Sequence, residues 1–97
     1  MSRNAFIVCY DITDDKRRTE VFNTCRGYGE RIQYSVFRCH LSRVERIDLE
    51  VKLRFAINQD LDQVLFIDLG PVRGRAQNCV AFIGKPHIPP NDGPTIV

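Results

Sequence analysis

No stretch of this chain approaches the roughly 18 consecutive apolar residues needed to span a bilayer, and Met1-Ser2-Arg3-Asn4 does not lead into the apolar run of a secretory signal. Insertion in a membrane is therefore not expected, and the chain is expected in the cytoplasm. The four cysteines, Cys9, Cys25, Cys39 and Cys79, form no C-x-x-C pair and lack the regular spacing of a disulfide framework. They read as reduced, mostly buried small hydrophobes rather than zinc ligands. Charge of one sign is also scarce. Fourteen Lys and Arg against twelve Asp and Glu leave a net charge of +2, too little by itself to demand a polyanionic partner. The Gly70–Arg75 segment lacks the spacing of a phosphate-binding loop, and the aromatic-rich strand signature of RNA-recognition modules is missing.

What is present is an ordinary globular composition, 43% apolar over 97 residues, enough for a single core. A chain of this length buries only about 60 to 65% of its unfolded surface, so a further interface between two copies would stabilise it. Most of the basic residues are arginines, in Lys16-Arg17-Arg18 and at Arg26, Arg31, Arg38, Arg43, Arg46, Arg73 and Arg75. Arginine grips phosphate bidentately, although scattered arginines also serve simply as a solvated surface.

Ala5 to Ile12 is apolar on both parities, with Phe6, Val8, Tyr10 and Ile12 on one face and Ala5, Ile7 and Cys9 on the other; it reads as a central strand covered on both sides. Thr13-Asp14-Asp15 supplies N-cap candidates for a helix over Asp15–Arg26, which Gly27 and Gly29 end. Arg31–Leu41 reads as a second extended element, either one bent strand or a hairpin broken near Tyr34-Ser35. Between Ser42 and Asn58 the apolar residues alternate as in a strand, but length, helix-forming composition and the capping-box pair Ser42 and Glu45 favour a helix. Wound as a helix, the segment carries two apolar stripes. Leu49, Leu53, Ala56 and Ile57 lie on one side and Val44, Ile47, Val51 and Phe55 nearly opposite. One stripe should face the sheet; the second is expected on the first helix, the alternative being an exposed docking surface. Gln63–Leu69 and Asn78–Ile83 are expected as two further strands.

This order predicts an α+β sandwich of ferredoxin-like type, with two helices on one face of an antiparallel sheet, in a domain spanning residues 1–84. The other sheet face then needs cover, which a second copy packing sheet to sheet would supply. Residues 85–97 read as a proline-rich extended tail whose β-prone Thr95-Ile96-Val97 end is expected to add a C-terminal edge strand, in this subunit or its partner, the alternative being a frayed end.

Three segments then stand out together. Tyr10-Asp11-Ile12 closes the first strand, Asp14-Asp15-Lys16-Arg17-Arg18 opens the helix, and Gly29-Glu30-Arg31-Ile32-Gln33-Tyr34-Ser35-Val36-Phe37 follows. In these segments the chain resembles the CRISPR-associated Cas-two family, and the match extends over most of its length. The resemblance implies a ferredoxin-like homodimer acting in CRISPR spacer acquisition beside the Cas-one integrase, with magnesium-dependent endonuclease activity on RNA or double-stranded DNA in some members. One departure is Arg38, where many members carry an acidic residue; it is expected to add positive charge near the site and to favour binding over cleavage.

The resemblance implies that Asp11 is the metal ligand and catalytic carboxylate and Tyr10 its flanking catalytic-site residue. It likewise implies that Arg17, Arg18 and Arg31 contact phosphate, while Ser35 and Phe37 shape the floor of the cleft. One carboxylate is a poor magnesium site, but two related by a twofold axis are better. At about 4 Å and an effective dielectric near 20 their repulsion is roughly 4 kcal/mol, which a divalent cation relieves. Other roles stay open: Asp11 as a turn cap, Arg17 and Arg18 as solvated charges, Phe37 as core and Gln33 as a partner for backbone groups. His40 and His87 read as surface or packing residues, and Asp68 as a weaker second metal candidate. A non-catalytic dimeric adaptor holding duplex DNA between integrase subunits is the competing function, and a regulatory domain binding a metabolite a more distant one.

Overall fold

The strand at the centre of the computed structural model, which describes residues 2–88, is β1 (Asn4–Asp11). Its two apolar parities leave Ala5, Phe6, Ile7, Val8 and Tyr10 all buried. It pairs antiparallel with β3 (Val36–Leu41) on one side and β4 (Gln63–Pro71) on the other. β2 (Gly29–Gln33) pairs only with β3, which gives a four-stranded sheet in the order β2-β3-β1-β4. The extended element is thus a tight hairpin turning at Tyr34-Ser35, one of the two arrangements the sequence allowed. Gly29 is required there by close approach: a Cβ at this position would meet the Arg38 carbonyl oxygen and come within 2.6 Å of Cys39 Sγ.

α1 (Asp15–Arg26) starts where Asp14 accepts the Arg17 backbone N–H at 2.9 Å, and it buries Val21 and Cys25 against the sheet. α2 (Arg43–Ala56) starts at a complete capping box: Glu45 N donates to Ser42 Oγ at 3.1 Å, and Ser42 N donates to Glu45 Oε1 at 2.8 Å. Leu49, Leu53 and Ala56 are buried in a core shared with Phe6, Val8, Phe37 and Cys39. Phe37 meets both Tyr10 and Phe22 ring to ring, at centroid distances of 6.3 and 5.7 Å.

Two expectations are corrected. The second stripe of α2 does not pack on α1: Val44, Ile47, Val51 and Phe55 are all exposed, Phe55 to 87%. Beyond the end of α1, Tyr28 donates to Asp48 of α2, and Lys52 of α2 lies 5.1 Å from the Tyr28 ring centre. Asn78–Ile83 is also not a strand. Arg75–Asn78 winds into a short 3-10 helix and Cys79–Ile83 has no regular structure, because β-prone composition makes a strand only where a neighbour's backbone completes the ladder.

The chain after β4 folds back across the face of the sheet that the helices leave open. Val72 N donates to Arg3 O at 3.1 Å, Ala76 is buried, and His87 stacks on Phe82 with its Nε2 3.3 Å from Glu30 Oε2. This return covers the Ala5 and Glu30 side of the face. Leu65 and Ile67 of β4 remain 50% and 43% exposed. The proposed tail strand at Thr95-Ile96-Val97 lies outside the described residues.

Candidate nucleic-acid site at the end of the first strand

Asp11 is the last residue of β1, exposed, opposite Gln63 of β4. Strand alternation gives it the parity of Ala5, Ile7 and Cys9, so it belongs to the open face. Its acidic neighbours are all engaged by arginine: Asp14 and Asp62 by Arg17, and Asp15 by Arg18. Asp11 has no such partner among the described residues and is available to a hard cation, whose oxygen-ligand chemistry a carboxylate suits. Among the described residues no group of three or more His, Cys, Asp or Glu side chains is placed to hold a metal ion. The described residues of one protomer thus supply no complete ligand set, and a divalent cation at Asp11 would need further oxygen ligands from elsewhere.

Tyr10 has the other parity. It is buried against Phe37, and desolvation pushes its phenol above the ordinary value, so it stays a protonated hydroxyl through the physiological range. Its backbone N–H donates to Ser35 O at 3.2 Å, which ties the hairpin turn to the end of β1. Ser35 therefore acts on the site through its carbonyl oxygen, and Phe37, fully buried, supports Tyr10 from within the core rather than lining a cleft.

The three arginines separate. Arg17 is a structural clamp: its Nε and Nη2 reach Asp62 at 2.7 and 3.2 Å, and the Asp62 side chain, wholly buried, also accepts the Asn58 N–H at 2.8 Å. The Arg17 guanidinium, followed by that backbone N–H, holds the Asp62 carboxyl below the usual range. A long-range pair of this kind leaves no local signal in a single sequence. Arg18 donates to the carbonyl oxygens of Ile12 and Thr13 at 3.1 and 3.2 Å and pairs with Asp15. Arg31 lies 5.2 Å over the Phe22 ring, and Arg26 lies 5.4 Å from the same centroid.

Arg18 and Arg31 meet in a depression of about 180 Å³ that Tyr10, Thr19, Phe22 and Tyr34 complete. It opens at the same end of the molecule as Asp11 but on the helix side of the sheet. Two further expectations are corrected by placement. Arg38 faces Glu30 on the open face, opposite Ile7 and away from the end of β1. Asp68 lies toward the other end of β4, opposite Phe6, where Asn4 Nδ2 and Gly70 N donate to it. Of the cysteines, Cys25 and Cys39 are buried with thiols pushed up to about 12, Cys9 is partly buried and Cys79 exposed, all four free.

An antiparallel four-stranded sheet with two helices on one face, an unpaired carboxylate at the end of its central strand and arginines beside it defines the class: a small α+β protein with an anion-receptive edge. The sequence model described as CRISPR associated protein Cas2 matches residues 4–73. The chain is 44% identical over 70 residues to the CRISPR-associated endoribonuclease Cas2 1 of Rhodospirillum rubrum, covering 72% of this chain and 69% of that protein. It is 35% identical over 92 residues to the CRISPR-associated endoribonuclease Cas2 3 of Synechocystis, covering 95% and 97%. The crystal structure of Streptococcus pyogenes Cas2 at pH 6.5 superposes with a TM-score of 0.73 at 30% identity, covering 82% of this chain and 99% of that one. The chain belongs to the Cas2 family. Among the described residues no helix is long and apolar enough to cross a membrane.

Proposed function

We propose that this protein is a magnesium-dependent endonuclease of CRISPR adaptation, a cytoplasmic homodimer of ferredoxin-like subunits that pair through their open sheet faces. The observation that carries the reading is Asp11: exposed at the end of the central strand, on the open-face parity, and free of any arginine partner while its acidic neighbours are all engaged. The names of the Rhodospirillum and Synechocystis relatives, both endoribonucleases, support single-stranded RNA as one substrate; double-stranded DNA is the other.

In the paired molecule the two Asp11 carboxylates would be the residues that hold a magnesium ion. When bound, that ion activates water and neutralises charge on the scissile phosphate. The chain's own part is to aim and anchor. The Tyr10 N–H and Ser35 carbonyl fix the strand end that carries Asp11, and Arg18 and Arg31 hold backbone phosphates on the helix side. Replacing Asp11 by Asn abolishes magnesium-stimulated cleavage by the purified protein while leaving nucleic-acid binding in place. Unchanged cleavage removes Asp11 from the chemistry.

A second role, as a bridge that holds DNA beside a Cas-one integrase, is supported by the two exposed guanidiniums of Arg26 and Arg31 on one ring. In that role Asp11→Ala still supports spacer acquisition, whereas charge reversal at Arg18 and Arg31 abolishes DNA binding, which in the unaltered protein weakens steeply with salt.

A further inference from the structure

We propose that Tyr34 is a base-stacking platform that makes this end of the protein a reader of unpaired nucleotides. The inference rests on the reading that the site takes nucleic acid. Tyr34 is the first residue of the two-residue turn between β2 and β3, and it is 70% exposed although its ring is large and apolar. The turn is not a loose loop. Ser35, the next residue, accepts the Tyr10 N–H at 3.2 Å, so the ring projects from backbone tied to the centre of the sheet. A side chain presented from fixed backbone loses little freedom when a ligand lands on it.

Its surroundings select the ligand. Tyr34 stands at the rim of the depression that holds Arg18 and Arg31. At about 180 Å³ this hollow is smaller than the roughly 300 Å³ at which small-molecule pockets begin. It can take a phosphate group but not a whole nucleotide. The base attached to that phosphate must lie outside, where the face of Tyr34 is the available apolar surface. A purine or pyrimidine in a continuous duplex is already stacked on both faces and cannot offer one to the ring, so the platform takes bases from single strands, frayed ends or bulges. Asp11 and this depression lie on opposite faces of the sheet, so the stacked nucleotide flanks the scissile one. Tyr34 therefore contributes to binding rather than to the chemical step.

The test measures binding of the whole protein to a single-stranded RNA, the matching single-stranded DNA and a closed circular duplex, which has no ends to fray, by fluorescence anisotropy at fixed low salt. Tyr34→Ala weakens binding of the single strands by roughly 5- to 150-fold, the worth of one base–aromatic stack, and leaves the duplex unchanged. Tyr34→Phe retains single-strand affinity, because the ring and not the hydroxyl carries the contact. In cleavage of the single strand, Tyr34→Ala raises KM and spares kcat. A fluorescent purine analogue in the strand is quenched by the unaltered protein and by Tyr34→Phe, but not by Tyr34→Ala. Undiminished single-strand binding by Tyr34→Ala, or an equal loss on strand and duplex, overturns the stacking role alone. Failure of the unaltered protein to bind any of the three overturns the nucleic-acid reading with it. Loss of cleavage in Asp11→Asn with Tyr34-dependent binding intact leaves both standing.

Discussion

The two faces of the sheet are made by the same alternating strands and finish in different states. On the helix side, Val8, Phe37, Cys39 and Leu49 are fully closed off, because α1 and α2 each bring a buried stripe to it. On the other side the described residues 72–88 close over Ala5 but leave Leu65 and Ile67 half exposed. Asp11 shares the parity of the unfinished face, whereas Arg18, Arg31 and Tyr34 stand on the finished one. One face thus holds the closed core, and the other carries Asp11 beside the exposed strip that the proposed second copy would cover.

That contrast can be attacked from its finished side first. Leu49 is fully buried between α2 and the sheet, and truncation to Ala is expected to cost about 2–5 kcal/mol of stability. Urea denaturation of the variant measures this, and a loss below about 1 kcal/mol would mean that the helix side is not where the fold is held.

A smaller effect is expected at the start of α2, through pH. Glu45 is held down at about 2 from an ordinary value of 4.5, first by Arg3 and then by the Ser42 N–H. Because the folded value lies below the unfolded one, the contribution is fully present above about pH 4.5 and is lost as pH falls toward about 2. Arg3→Ala should lower stability at about pH 5 by more than at about pH 3, since at the acid end the unfolded chain gains from protonating Glu45 and offsets most of what the pairing contributes in the fold. An equal difference at the two pH values would show that Arg3 acts on the helix by some other contact.

Much of this was legible in the residues. The capping-box pair Ser42 and Glu45 decided correctly between strand and helix where alternation pointed the wrong way, because a side chain that satisfies free backbone N–H groups fixes a helix start whatever the periodicity that follows. The two parities of β1 likewise placed it at the centre. What failed depended on distant partners. Cys79–Ile83 has the composition of a strand but joins no ladder, and Val44, Ile47, Val51 and Phe55 form a helical face that no helix covers among the described residues. The family resemblance implies a phosphate contact for Arg17, but its engagement by Asp62, forty-five positions on, appears only in three dimensions. Asp11, Arg18 and Arg31 did gather at one end of the molecule, but the alternation of β1 divides them between its two faces.

The pairing of two open faces bears most of this account, and sedimentation equilibrium tests it directly. The unaltered protein is expected to sediment as a dimer. Ile67→Asp, which sets a charge in the exposed strip without touching the helix-side core, is expected to sediment as a folded monomer that has lost magnesium-stimulated cleavage. A monomeric unaltered protein, or an Ile67→Asp variant that dimerises and cleaves as before, would contradict it.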